Sequence, residues 1–238
     1  MVDWGWSFKM AKREFRKTGV KLVLFVSAIV TGIAALVAVT SFGENLSKDI
    51  DNQAKELLGA DLLLKKNQTI EFPEVEKLAS EHALEINFAS MVYFPKAGNS
   101  RLTQVRALEG AFPYYGSLET LPQEGERTFR LGGSRALVEK TLMAQFGAVV
   151  GDSIKVGNVT LEIVGALQKV LGQTGITATV APAVYIPMDQ LEASGLVQYG
   201  SRVNYNHYFL FPENFDLQAL IDENKEVWEE DRVNFDTV

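Results

Sequence analysis

No cysteine occurs among the 238 residues, so a disulfide framework and a cysteine-based metal site are both excluded. Histidine is almost as scarce, with His82 and His207 alone. His82 falls on the apolar side of an expected helix and His207 in an aromatic strand, so both read as packed side chains. No G-x-x-x-x-G-K-[ST] stretch is present, which excludes a phosphate loop of that type. No Asp/Glu/His cluster has metal-ligand spacing along the chain. Gly132-Gly133-Ser134-Arg135-Ala136 approaches the G-x-S-x-G nucleophile elbow but lacks its last glycine. Ser134 reads better as the N-cap of a helix carrying Leu137, Val138, Leu142 and Phe146. These readings predict no catalytic residue, no cofactor and no metal. Basic surface is lacking too. Residues 1–42 hold six basic residues against Asp3 and Glu14, a net +4, which leaves the remainder at −11. An acidic body excludes nucleic acid as a partner, because phosphates require lysine and arginine.

What the chain does have is one long run without charge, Leu22 to Phe42. At 1.5 Å per residue it covers about 30 Å, the thickness of a bilayer core. A signal peptide has an apolar core of only about 7–15 residues, so an uncleaved transmembrane helix at 22–42 is predicted. The basic residues precede the run, while Glu44, Asp49, Asp51 and Glu56 follow it. The positive-inside rule then places the N-terminus in the cytoplasm and the body outside it. At 100° per residue, Ser27, Ala28, Thr31, Ala34, Ala35 and Ala38 share one side of the helix. Leu22, Val26, Ile29, Val30, Ile33, Leu36 and Val37 share the other. Small residues let helix backbones approach, so the first face is expected to pack against other transmembrane helices. Ahead of the span, Trp4, Phe8, Ala11 and Phe15 recur on one helical face, opposite Lys9, Lys12, Arg13, Arg16 and Lys17. That pattern predicts a basic amphipathic helix over 1–21, with Trp4, Phe8 and Phe15 in the cytoplasmic membrane interface.

Residues 43–58 continue as a polar helical extension, which Gly59 ends. Ala60–Lys65 reads as a buried strand, Pro73 opens a helix whose Val75, Leu78, Ala79 and His82 share a face, and Ile86–Phe94 is a strand. Leu102–Leu108 returns as another strand. The pattern recurs near the C-terminus: strand Tyr205–Phe211, a helix with Leu217, Leu220, Ile221, Asn224 and Trp228 on one face, and a short strand at Val233–Phe235. The fold class expected is α+β. Two strand–helix–strand units, 59–95 and 204–238, pair into one sheet with helices on one face, and 96–203 forms a β-rich insertion. Within the insertion, Ser153–Val156 and Val159–Leu167 flank the turn pair Gly157-Asn158, and Val184–Pro187 is a strand. Leu171, Gly172, Gln173, Thr174, Gly175 and Ile176 form a loop with apolar flanks. It reads either as a hairpin tip or as a contact loop for a partner or cargo.

Four stretches together resemble the permeases of MacB/LolCE/FtsX-like ABC transporters. They are Leu58-Gly59-Ala60-Asp61-Leu62, Leu131-Gly132-Gly133-Ser134-Arg135-Ala136-Leu137, Val150-Gly151-Asp152-Ser153-Ile154 continuing to Glu162-Ile163-Val164-Gly165, and Val184-Tyr185-Ile186-Pro187. Arg106-Ala107-Leu108-Glu109-Gly110 with Phe112-Pro113-Tyr114-Tyr115-Gly116 is similar to the YbbP-like branch. The resemblance covers essentially the whole chain. It implies that the split βαβ halves form a Porter-like subdomain and the insertion a Sabre-like one. It also implies a dimeric permease in the bacterial inner membrane, a separate cytoplasmic ABC ATPase, and mechanotransmission through the membrane helices to work on a lipid or other hydrophobic cargo. A periplasmic partner fits the same picture. Family members return to the membrane after this domain, so the chain is expected to be a piece of a longer permease. The alternatives are a single-span anchored sensor or interaction ectodomain and, resting on Ser134 alone, an anchored hydrolase.

Overall fold

The computed structural model describes residues 4–168, 181–198 and 201–238. Two compact units emerge, Met1–Asn52 and Gln53–Val238. The first is helical. It holds most of α1 (Trp4–Leu58), an unbroken helix of 55 residues. Gly32 and Gly43 lie inside it, and neither would meet a neighbour if it carried a Cβ.

The second unit is built on one sheet of ten strands. Its first part follows from the two strand–helix–strand units. These are β1 (Leu62–Lys66), α2 (Pro73–Leu78) and β2 (Glu81–Phe94) at one end of the body. At the other are β9 (Asn204–Leu210), α6 (Leu217–Glu230) and β10 (Asn234–Thr237). The strands interleave as β10-β1-β9-β2, every neighbouring pair antiparallel. Each half therefore leaves a gap between its own strands that a strand of the other half fills, as in a split βαβ sandwich. Successive residues of β1 point to opposite faces. Leu62 and Leu64 pack with Phe72, Val75, Leu220, Ile221 and Trp228 beneath the helices, while Leu63 joins Ala60, Phe112 and Tyr208 on the other side. The Asp216 carboxylate caps α6, accepting from the Ala219 N–H at 3.0 Å.

The second part comes from the long insertion. β2 runs 14 residues and pairs from Leu84 to Phe94 with β3 (Asn99–Glu109). β3 pairs in parallel with β8 (Ala183–Pro187), which pairs with β5 (Arg135–Glu139). β5 pairs in parallel with β7 (Val159–Leu167), and β7 forms the hairpin with β6 (Ser153–Val156). β6 then meets β2 again through Val92–Val156 and Tyr93–Lys155. Six strands thus close on themselves, which removes free edges from this part. The closed ring encloses Ile86, Phe88, Val105, Ala136, Val138, Ile154, Leu161, Ile163, Val184 and Ile186. β4 (Thr120–Leu121), α3 (Glu124–Phe129), α4 (Lys140–Phe146) and α5 (Leu191–Ser194) complete the described elements apart from one short 3-10 turn.

Two local expectations are corrected. Ser134 caps no helix: it is exposed, its carbonyl accepts from the Glu162 N–H at 2.9 Å, and it leads into β5. Leu137 and Val138 recur with Leu142 at helical spacing, yet Ala136–Val138 is a continuous buried run between β7 and β8. A strand covered on both faces is apolar throughout, so periodicity cannot tell it from a helix. The helix begins only at Lys140. His82 likewise lies on no helix. α2 ends at Leu78, Ala79 is extended, the Ser80 N–H donates to the Leu210 carbonyl at 2.7 Å, and pairing with β9 takes over from Glu81.

Candidate functional site

The span comes first. Residues 22–42 of α1 are exposed throughout, and among the described residues this is the one helix long and apolar enough to cross a membrane. Two of its polar side chains, Ser27 and Thr40, are satisfied within the helix. The Ser27 hydroxyl donates to the Leu24 carbonyl at 2.9 Å, and that of Thr40 to the carbonyls of Leu36 and Val37 at 3.1 and 3.0 Å. Such internal pairing is what a hydrocarbon surrounding demands. Ser27, Ala28, Thr31, Ala34, Ala35 and Ala38 form an open strip, with Leu24 on the same side at its N-terminal end. Ahead of the span, Lys9, Lys12 and Arg13 are exposed. The side chains of Trp4, Phe8 and Phe15 lie outside the described residues, although α1 includes their backbone.

The last turn of α1 belongs to the second unit and is held there by a joint. Gly59 stops the helix with φ +73°, a left-handed conformation that glycine adopts without steric cost. A Cβ here would meet the Phe112 ring at 2.7 Å and Pro113 at 3.1 Å. The Gly59 carbonyl accepts from the Tyr114 N–H at 2.8 Å. Two residues on, the Asp61 carboxylate accepts from the Tyr115 hydroxyl at 2.6 Å and from the Phe211 N–H at 2.9 Å. The Asp61 carbonyl accepts from the Thr237 hydroxyl at 3.1 Å. Lys55 lies over the Tyr115 ring, 5.2 Å from its centre. Burial, together with the bond to Asp61, pushes the Tyr115 hydroxyl up to about 12, so at neutral pH it remains a donor. Phe112 is itself buried and stacked on Tyr208 at 3.7 Å. One joint thus uses Leu58–Leu62 and Phe112–Tyr115, two stretches singled out in the sequence for another reason.

The other quoted stretches are turns and strands. Gly132 and Gly133 both have positive φ and pass under Asp189, whose carboxylate accepts from the Gly133 N–H at 2.9 Å. Asp152 accepts from the Val149 N–H at 2.8 Å and from Lys96 at 2.9 Å, tying the start of β6 to the β2–β3 turn. Tyr185 and its neighbours in β8 are fully buried. The loop Leu171–Ile176 lies outside the described residues.

Sequence reasoning missed a buried ionic network between the two parts of the sheet. Glu85 is fully buried, and its carboxylate lies 3.3 Å from the Arg106 guanidinium. The side-chain amides of Asn87 and Asn206 donate to the same oxygen at 3.1 and 3.0 Å, and Arg106 donates to the Tyr185 hydroxyl. Burial opposes the arginine charge most strongly of any single cause, but Glu85, Tyr185 and Tyr208 together outweigh that cost and hold its pKa above the ordinary value. The sequence signal was a charge flanked by apolar residues in each strand, Glu85 between Leu84 and Ile86 and Arg106 between Val105 and Ala107.

Residues 22–226 match the MacB-like periplasmic core domain, which is most of the chain. The chain belongs to that family. Over 218 residues it is 26% identical to the uncharacterized ABC transporter permease YbbP of Escherichia coli (strain K12), covering 90% of this chain and 25% of that protein. The chain therefore spans a quarter of the length of that relative. Among solved structures it is similar to the periplasmic region of MacB from Actinobacillus actinomycetemcomitans, with 8% identity, 77% of this chain and 91% of the other covered, and a TM-score of 0.46. A domain of a putative permease from Porphyromonas gingivalis gives 12% identity, 74% and 89% coverage and a TM-score of 0.46. The extracellular domain of the noncanonic ABC-type transporter YknZ from Gram-positive bacteria gives 9%, 74%, 99% and 0.42. In this MacB-like domain the apolar helix precedes the mixed helix-and-strand body.

Proposed function

We propose that this chain is the N-terminal part of the membrane subunit of a MacB-like ABC transporter. A partner subunit in the cytoplasm hydrolyses ATP, and this subunit, present in two copies, converts that work into movement outside the inner membrane. The cargo is a lipid or another hydrophobic molecule. The N-terminus lies in the cytoplasm, with Trp4, Phe8 and Phe15 seated in the interface, and the small face of the span packs against further transmembrane helices. Outside, 59–95 with 204–238 act as a Porter-like subdomain and 96–203 as a Sabre-like one. The loop from Leu171 to Ile176 touches cargo or a periplasmic partner.

The observation that supports this reading best is the joint. α1 continues past the apolar run without a break to Leu58, and its last turns end on Gly59, Asp61 and Tyr115. A tether needs no such termination. A lever does, because displacement of a stiff helix moves the body only if the end is held. Inserting Gly-Gly-Gly after Ser47 softens the helix, since each glycine costs about 1 kcal/mol of helix stability relative to alanine. In the complete permease, reconstituted with its ATPase, the insertion is expected to leave ATP hydrolysis in place and abolish cargo handling. Cargo handling that survives unchanged would reduce α1 to an anchor.

A further inference from the structure

The two histidines, 125 residues apart in sequence, meet in space. β2 and β9 place His82 opposite Phe209 and Leu84 opposite His207, so the imidazoles are diagonal neighbours across one strand pair. His82 Nε2 lies 3.0 Å from His207 Nδ1, with the two rings nearly coplanar, 4° apart. α2 brings a carboxylate to the same place: Glu76 Oε1 is 3.7 Å from His82 Nδ1. One donor atom from each of the three residues lies within 4.8 Å of the other two. Aromatic walls fix the rings. His82 stacks on Phe209 at 4.7 Å, and the Phe72 ring stands edge-on to His207 at 5.1 Å.

We propose that Glu76, His82 and His207 form a binding site for one borderline divalent transition-metal ion of the zinc class. The donor set selects the class. Two imidazoles and one carboxylate suit zinc, whereas magnesium and calcium require oxygen donors. The spacing also fits. Ligands at about 2.0–2.2 Å from a tetrahedral zinc lie roughly 3.3–3.6 Å from one another, so the imidazole nitrogens must open by a few tenths of an ångström and the rings must turn until both lone pairs point at the ion. His207 is buried, His82 is half-buried and Glu76 is exposed. The inner ligands are thus held by packing, while the carboxylate is free to rotate onto the ion from the solvent side. The same opening admits water to the fourth position. Without the ion, the facing nitrogens form a hydrogen bond, one carrying the proton. Binding needs both as lone pairs, so that proton moves to the outer nitrogen of its own ring and none is released. The ion would tie α2 to the start of β2 and to β9, across the two halves of the split sandwich. The site stands on this geometry alone and does not depend on the transport reading.

The test uses the full chain without a histidine tag, in detergent and stripped of metal, titrated with zinc chloride at neutral pH. One zinc should bind per chain with micromolar affinity or better and raise the melting temperature, as any ligand of the folded state does. Magnesium chloride should do neither. With two histidines in the chain, their imidazole 15N resonances identify the ligands directly, and both should shift on zinc binding. Glu76→Gln, at an exposed position, should keep the metal-free melting temperature and weaken zinc binding by at least about tenfold. Absence of saturable zinc binding, imidazole resonances that do not move, or an affinity unchanged in Glu76→Gln would each overturn the proposal.

Discussion

At the residue scale, Gly59 is an exacting position. It has to do two things that only glycine does together: take φ +73° and let the Phe112 ring lie where a Cβ would be. The left-handed backbone alone costs an L-residue roughly 1–2 kcal/mol. Phe112 cannot withdraw, because it is buried against Tyr208. Gly59→Ala is therefore expected to destabilise the body by about 2–3 kcal/mol, strain and overpacking together, read as a lower midpoint in urea unfolding. A midpoint within error of the parent protein would mean that the joint is loose and that the helix end is not held. Ser134 makes the opposite point. A glycine-flanked serine suggested a cap or an elbow, yet its side chain is exposed at the entrance to a strand. The glycines before it serve the turn under Asp189.

At the scale of elements, α1 and β2 are each shared between tasks. β2 pairs with β9 along residues 81–87, with β3 along 84–94 and with β6 at Val92 and Tyr93, so one strand belongs to both the split sandwich and the closed ring. The Glu85–Arg106 network sits where those duties overlap. In α1 the division is between faces. Ala38 and Ala35 lie on the small strip, and Ile33 lies on the opposite, bulky side. Close backbone approach tolerates no long side chain, whereas a lipid-facing position accepts one aliphatic residue for another. Ala35→Leu and Ala38→Leu should weaken association of the chain with itself or with other helices in a bilayer, measured by energy transfer between labelled copies. Ile33→Leu should leave it unchanged. Equal loss from both faces would remove the reason for assigning the small face to helix contacts.

At the scale of the whole molecule, the body is interlocked through the sequence. β9 lies between β1 and β2, and β1 lies between β9 and β10. Neither half has a complete sheet of its own. Removing residues 204–238 would take away both partners of β1, together with Leu220, Ile221 and Trp228, which cover its helix side. The shortened chain is expected to lose the cooperative unfolding transition of the body and to become protease-sensitive from residue 59 onward. A folded, protease-resistant remainder would show that the insertion is stable alone and that the interleaving is dispensable.

What the sequence determined by itself was whatever depends on neighbours along the chain. The uncharged helical run, the stop at Gly59, the Gly157-Asn158 hairpin and the amphipathic α6 are all local patterns, and each stands in the structure at the expected place. The pairing of the two end units was also legible, because repeated strand–helix–strand units have few ways to bury their helices. Tertiary structure decided what depends on distant neighbours. Whether Arg135–Glu139 is helix or strand was fixed by β7 and β8 closing on both sides of it. Whether His82 begins a strand was fixed by Leu210 and Phe209 from the far end of the chain. Glu85 with Arg106, and His82 with His207 and Glu76, have no signature in spacing. Their proximity is a property of register, and register is settled only when separate strands choose which side chains to bury together.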